Sequence, residues 1–535
     1  MSRIAAFALA FLCLLAAPLM LKPKSAVQLI GKGALQNQVI VLTPANEQVR
    51  YELSRGFAAW HKAKFGEVAE VVWSTPGGAI EIRRALVSAW ESRLRQGLPV
   101  GGDADLVLGG GSYEFDTLKR AVTVQVGGDT RSASILEPLA LPEQVLRDCY
   151  GAPEASADGK PRAVQIAGQR LYDANGCWYG VALATFGIVW NQPVIDTLGV
   201  PAPKEWVALA DPRLRGWVCM VNPSQSGAVL TTFESIVQHV GWQPGLAILR
   251  RAAANERNFA PSGTRGPIDV SSGDAAMAVA IDFYGRYQAQ VIADAAKARG
   301  ETQDMDRVQF VTPKGQSTVD ADPVGMLRNP PHRQAAERFV QYLLSAEAQR
   351  LWQLPVGAPG GPHRYQLRRL PVMRSLYASE GANFVDKVDP YADAVAPAYP
   401  NPDMRPFIPV LFNAMAMDCH ESLRGAWACI AAHPAYPKGA LGVVTAADVS
   451  DPELRSWLER FDAWPDVPTP DGARSIGDAA NLQVLHQGWL KGGWKDQHLW
   501  GSEDRPADVL RSRFEPFFEG NYQWIMRQAA ARGTS

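Results

Sequence analysis

Five polar turns hold the residues of this chain that could meet a small ligand. They are Thr43–Asn46, Ser74–Gly78, Gly109–Ser112, Asn222–Gly227 and Asp282–Tyr287, and a short apolar run precedes each. Glycine leaves backbone N–H groups unhindered, and serine and threonine add hydroxyls. Near a helix start, those donors and the helix dipole together favour an anion. The chemistry this points to is binding rather than bond-breaking. No turn matches G-x-G-x-x-G or the P-loop, so a nucleotide site is not indicated. The chain contains no H-E-x-x-H, no G-x-S-x-G and no C-x-x-C, and its eight histidines are scattered. Each turn also has a plainer use as a tight strand-to-helix connection, with Ser224 or Ser226 as a helix N-cap.

The elements that must position these turns follow from periodicity. Gln38–Leu42, Val71–Trp73 and Asp105–Leu108 are short apolar strands. Between them, Val49, Leu53, Phe57 and Trp60, then Ile82, Leu86, Trp90 and Leu94, recur at helical spacing. A β-α-β-α-β order implies a parallel sheet covered by helices, with ligands at the carboxyl ends of its strands. A second β/α set runs through Trp217–Val221, a helix with Leu230, Phe233, Ile236 and Val237, and the strand Ala276–Ile281. Arg307–Val311 leaves that set, and Asp322–Leu327 precedes a helix expected over Arg333–Trp352. Between the two sets lies Gly176–Asn191, almost continuously apolar. Extended, its residues reach roughly 50 Å at about 3.3 Å each, enough to leave one lobe and enter another. Its small residues, Gly180, Ala182, Ala184 and Gly187, would let another backbone approach closely.

Composition bounds the rest. A chain of 535 residues exceeds a single core. It has 53 basic and 54 acidic side chains with no long basic run, so nucleic acid is not an expected partner. Met1–Leu21 reads as a targeting segment: Arg3, then an uncharged apolar run, then Lys22 and Lys24. It is expected to direct export, as a signal peptide or as an anchor over 1–26. Five cysteines follow it, an odd number, so one thiol at least is free. Cys419 and Cys429 form the disulfide candidate.

Seven stretches in order resemble the extracellular solute-binding proteins of ABC importers, and among them the two-lobed, type II group that binds ferric iron, phosphonates and polyamines. They are VIVLTPANEQV, DADLVLGGGS, GCWYGVALATFGIVWNQPVI, DPRLRGWVCMVNPSQSG, SSGDAAMAVAIDFYGRY, VQFVTPKGQSTVDADPVGM and AERFVQYLLSAEAQRLW. The resemblance implies an α/β fold of two lobes, each a parallel or mixed sheet flanked by helices, joined by a two-strand hinge. Lobe 1 would take 38–140 and 314–377. Lobe 2 would take 178–306, with hinge strands near 181–191 and 307–313. It further implies binding without catalysis or cofactor. The partners implied are a small solute and the ABC permease and ATPase subunits, the binder itself being a monomer outside the cytoplasm. Carried onto the turns above, the ligand contacts would be Asn46, Ser74, Thr75, Gly77, Gly78, Gly111, Ser112, Ser224, Ser226, Gly227, Asp282 and Tyr284. Iron-binding members usually offer adjacent tyrosines and often a histidine after the first strand. Here Tyr284 stands between Phe283 and Gly285, and the first turn has Asn46. A small anion such as a phosphonate or sugar phosphate is therefore the preferred ligand. Ferric iron on Tyr284 and Asp282, or an amine facing Asp282, are the alternatives, as are a membrane-tethered ligand sensor and an enzyme on the same fold.

Residues 378–535 depart from the resemblance. Helical patterns recur at Phe407–Cys419, Ala447–Trp464, Asp478–Leu490 and Ala507–Gln528, and tryptophan is frequent. A mainly helical C-terminal extension is expected, its tryptophans used for packing, lying against lobe 1 or meeting a membrane partner.

Overall fold

The computed structural model describes residues 37–152, 163–260, 262–301, 305–494 and 505–533. The targeting segment expected at the N-terminus lies outside them. Among the described residues no helix is long and apolar enough to cross a membrane.

The first lobe begins β1 (Gln38–Leu42), α1 (Glu47–Phe65), β2 (Glu70–Ser74), α2 (Ala79–Gln96), β3 (Leu106–Leu108), α3 (Ser112–Leu118). β1 pairs in parallel with both β2 and β3, as the alternating pattern requires. Buried Val49, Leu53 and Phe57 on α1, and Ile82, Leu86 and Trp90 on α2, are the stripes read from the sequence. The short β4 (Leu136–Glu137) lies at one edge of this sheet.

The apolar stretch Gly176–Asn191 is two strands rather than one. β5 (Tyr179–Ala184) joins the first sheet, and β6 (Phe186–Asn191) joins a second. Thr185 is the single residue between them. The small residues do what their size suggests: a Cβ at Gly180 would lie 2.6 Å from the Leu171 carbonyl oxygen, and one at Gly187 would meet that of Val311.

The second lobe contains β7 (Val218–Cys219), α4 (Gly227–Val240), α5 (Trp242–Ala254), α6 (Arg265–Ser272), β8 (Met277–Ile281), α7 (Asp282–Arg299) and β9 (Val308–Val311). Its sheet has the order β7-β8-β6-β9, β6 running antiparallel to both neighbours. The chain then returns to the first sheet as β10 (Asp320–Leu327), antiparallel to β3, β4 and β5. The two crossings are stitched together. Thr185 Oγ1 lies 3.1 Å from Thr312 Oγ1, and Phe186 N–H donates to Ser317 Oγ at 3.0 Å. The helix expected over 333–352 is broken into α8 (Arg333–Leu343) and α9 (Ala346–Arg350), because Ser345 turns out of the helix and caps the second piece through Ala348 N–H.

The C-terminal extension is mainly helical, as expected, but most of it covers lobe 2. Ala394 still packs on the core of lobe 1. From Met404 onward the buried residues belong to one core shared with lobe 2. This part includes α10 (His420–Ala432), α11 (Pro452–Phe461) and the long α12 (Pro506–Gly533), with one two-stranded hairpin, Asp466–Thr469 with Gly472–Ser475. Trp427, Trp457 and Trp489 are buried, which assigns those tryptophans to packing. Arg250 and Arg251 of α5, both without exposed surface, are enclosed by the extension. Asp462 accepts from Arg251 Nη1 and Nη2 at 2.8 Å each, and Trp464 lies 4.5 Å from the Arg250 guanidinium.

The proposed Cys419–Cys429 disulfide is absent; both thiols are free. α10 separates them, and ten residues of helix rise about 15 Å, whereas a disulfide needs Cα atoms within roughly 7 Å. The three other described cysteines are also free and buried.

Candidate functional site

A cavity of about 470 Å³ lies between the lobes. From lobe 1 it is lined by Thr43 and Ala45 after β1, Gly77 and Gly78 before α2, Gly109–Gly111 before α3, and Asp320 and Asp322 of β10. From lobe 2 come Ser226, Gly227 and Thr231 of the α4 turn, Ser262–Thr264 before α6, and Phe283 and Tyr284 at the start of α7. Trp352 and Arg369 complete it. Most of the turns singled out by composition thus converge. The first residues of a helix have backbone N–H groups with no partner inside the helix, and helix starts from both lobes meet here. The lobes are close: a Cβ on Gly227 would lie 3.8 Å from Glu114 Oε1 and 3.9 Å from the Gly110 carbonyl oxygen.

The candidates divide on inspection. Gly77, Gly78, Gly111, Ser226, Gly227 and Tyr284 line the cavity. Ser226 also caps α4, accepting from Val229 N–H at 3.4 Å. Asn46, Ser74, Thr75, Ser112, Ser224 and Asp282 are not among the lining residues. Asn46 is the α1 cap, accepting from Val49 N–H at 3.0 Å. Ser74 gives its carbonyl to Thr43 N–H at 2.9 Å, and Thr75 is exposed. Ser112 donates its hydroxyl to Asp320 at 2.6 Å. Ser224 accepts from Asn413 of the extension at 3.1 Å. Asp282 is wholly buried in the hinge. It accepts from Thr185 Oγ1 at 3.1 Å and from Phe283 N–H at 2.8 Å, with Arg286 Nη1 at 4.0 Å. It staples the crossing, so that of the pair Asp282 and Tyr284 only Tyr284 is at the wall.

The charged groups of the site were not among the sequence candidates. Asp322 accepts from Gly110 N–H at 2.9 Å and forms an ion pair with Arg369 Nη1. The Arg369 guanidinium lies 3.9 Å from the centre of the Phe283 ring, and its Nε has no hydrogen-bond partner. Burial lowers its pKa, offset in part by Tyr284 and Asp282. Burial raises the Tyr284 hydroxyl. It also pushes Asp320 up to about 6, although the Ser112 hydroxyl and the charge of Arg405 pull the other way. One sequence signal was available for the acids: Asp320 and Asp322 alternate along a strand, and so share a face.

Part of the chain matches a known family. Residues 154–370 match the family model described as bacterial extracellular solute-binding protein. The phosphoglycerate transport regulatory protein PgtC of Salmonella typhimurium is 26% identical over 200 residues, which are 37% of this chain and 44% of that protein; the Salmonella typhi protein gives the same figures. The chain therefore spans less than half the length of these curated relatives. Among solved structures, the periplasmic binding protein AfuA from Actinobacillus pleuropneumoniae, bound to fructose-6-phosphate, is 14% identical with a TM-score of 0.47, covering 73% of this chain and 97% of that one. Iron-bound HitA from Pseudomonas aeruginosa is 17% identical with a TM-score of 0.44, covering 68% and 92%. Residues 154–370 thus carry the match to a bacterial extracellular solute-binding domain, and they include β5, β6 and the lobe 2 turns that line the cavity.

Proposed function

We propose that this protein is the solute-binding component of an ABC importer, and that it carries a small phosphate ester or phosphonate bearing hydroxyl groups. The observation that carries this reading is the convergence of glycine- and hydroxyl-rich helix starts from both lobes on one cavity that also holds Arg369 with a free Nε. The cavity is of a size for a small molecule. Its two walls suit the two ends of such a solute. The lobe 2 turns Ser226–Gly227 and Ser262–Thr264 carry no charge and offer amides and hydroxyls to a phosphoryl group. Lobe 1 brings Glu81, Asp320 and Asp322, which accept hydrogen bonds from solute hydroxyls. The name of the Salmonella relative, a phosphoglycerate transport regulator, makes phosphoglycerate the first solute to try. Such a binder works outside the cytoplasm, and permease and ATPase subunits would be its partners. Closure by hinge rotation would deliver the solute unchanged.

Thermal unfolding in the presence of 3-phosphoglycerate, glycerol 3-phosphate, 2-aminoethylphosphonate, Fe(III) and spermidine tests the reading. A true solute at 100 times its dissociation constant stabilises by about 2.7 kcal/mol. Stabilisation by a phosphoryl compound, recovered unmodified, is the expected outcome. Stabilisation by Fe(III) or spermidine alone would overturn the solute class, and chemical conversion of the compound would overturn the transport role.

A further inference from the structure

The chain passes between the lobes a third time, between Ala394, packed on the first core, and Met404, buried in the second. On the way it is fastened to α4: Tyr399 N–H donates to the Gln238 carbonyl at 2.8 Å, and Gln238 Nε2 to that of Asn401 at 3.4 Å. Arg405 follows, and only 4% of its surface is exposed. Its guanidinium pairs with Glu234 and donates to Thr231 Oγ1 at 3.2 Å, both on α4 of lobe 2. The same guanidinium lies 4.0 Å from the centre of the Tyr113 ring, on α3 of lobe 1. Its Nε has no hydrogen-bond partner.

We propose that the C-terminal extension latches the closed cleft through Arg405, which is anchored on lobe 2 and stacked on Tyr113 of lobe 1. Rotation about the Thr185 and Thr312 crossings moves α3 away from α4. Arg405 would travel with α4, because its ion pair and hydrogen bond lie there, so opening breaks the cation–π contact and leaves the ion pair intact. An interaction present in one of two states shifts their populations by its full strength. Thr231 and Asp320, on opposite walls of the cavity, are neighbours of this contact. Arg405 is thus a positioning residue: it acts on how long the solute stays, not on its recognition. Only that effect on release rests on the solute-binding reading; the latch itself is a property of the empty protein.

The test uses the full chain and Y113A, Y113F, R405Q and the Y113A/R405Q double variant. Tyr113 is 40% exposed, so Y113A removes the stacked ring without emptying a core. Small-angle X-ray scattering of the solute-free proteins reads the lobe opening, and stopped-flow dissociation of 3-phosphoglycerate reads release. Y113A and R405Q are expected to raise the radius of gyration and to speed release by about twofold to thirtyfold, the range of a cation–π contact between exposed and desolvated settings. The double variant should do no more than either single variant, and Y113F should match the parent. Parental scattering from Y113A, or additive effects in the double variant, would overturn the latch. If the parent does not bind 3-phosphoglycerate, the choice of solute fails, and the scattering still decides the latch.

Discussion

Two of the buried arginines, Arg251 and Arg369, sit in contrasting surroundings, and the contrast separates structure from function. Arg251, under the extension, has its guanidinium bracketed by both oxygens of Asp462, accepted again by the Val444 carbonyl at 2.8 Å, and flanked by Trp427 and Phe461 at 5.4 and 5.3 Å. Arg369, at the cavity wall, has one carboxylate and the rings of Phe283 and Trp352 at 3.9 and 5.9 Å; the Nε atoms of both arginines have no hydrogen-bond partner. A buried charge is tolerated only when it is paired and hydrogen-bonded. By that rule Arg251, with both Asp462 oxygens and the Val444 carbonyl as acceptors, is part of the core, whereas Arg369, with a single carboxylate, lines the cavity and has room there for a further partner.

If the Arg251 site is structural, removing its lid should be ruinous. Ending the chain after Leu376 strips Asp462, Trp427 and Phe461 from Arg250 and Arg251 and uncovers the whole shared core. The shortened protein is expected to be insoluble or unfolded by circular dichroism. A folded fragment that still binds solute would erase the contrast between the two sites. Asp462→Ala is the finer version. It leaves Arg251 buried without its carboxylate, and breaking such a pair costs about 3–5 kcal/mol. That is a large part of the roughly 5–15 kcal/mol that holds a domain folded. Denaturant unfolding checks it, and a loss below 1 kcal/mol would show that the site is not closed as described.

At the open site the expected signature is reversed. Arg369→Gln removes a charged donor from the cavity while Asp322 keeps its hydrogen bond from Gly110 N–H. Losing a hydrogen bond to a charged group costs about 1.5–3 kcal/mol, roughly tenfold to a hundredfold in affinity. Solute binding should fall by that factor in titration calorimetry, with the midpoint of unfolding changed less than by Asp462→Ala. Equal losses of stability at both arginines would mean that Arg369, too, is a core group.

Much of this contrast was readable in the sequence, but unevenly. The β-α-β-α-β order, the crossing strand and the glycine turns were legible because period and residue size act locally. The break at Thr185 was not, since nothing local distinguishes one long strand from two collinear ones in different sheets. Six of the twelve proposed contacts lie off the cavity: Asn46 serves as a helix cap, Asp282 as a hinge bond, and Ser112 and Ser224 bond to Asp320 and Asn413, the plainer uses available to any polar residue near a helix start. Arg369 lies in a stretch, Arg368–Arg369–Leu370, that reads as ordinary surface. Only the return of β10 beside β3 and β5 brings it to the cavity. Arg250 and Arg251 likewise look like the exposed face of a helix until the extension, more than 150 residues onward, folds over them.

Asp320 gives the smallest and most specific test of the open site. Its pKa is raised to about 6 by burial, above the roughly 3.9 of an unfolded aspartate. Between those values the folded protein holds the proton and the unfolded chain does not. Stability from this group is therefore present below about pH 4 and is lost as pH rises to about 6, with no further change above. That sign is opposite to the one a salt-bridged carboxylate gives, and its full size is up to roughly 3 kcal/mol. The same ionisation places a negative charge on the cavity wall. A phosphoryl solute should bind more weakly as pH passes from 5 to 7, by on the order of tenfold at an effective dielectric constant near 20. Phosphate esters titrate in this range themselves, so the decisive quantity is the difference between parent and Asp320→Asn. The variant keeps an acceptor for the Ser112 hydroxyl and cannot ionise. It should be the more stable protein at pH 7 and should lose less affinity between pH 5 and 7. If parent and variant show the same pH slope in both unfolding and binding, Asp320 does not sense the solute, and the wall facing it is as inert as the one around Arg251.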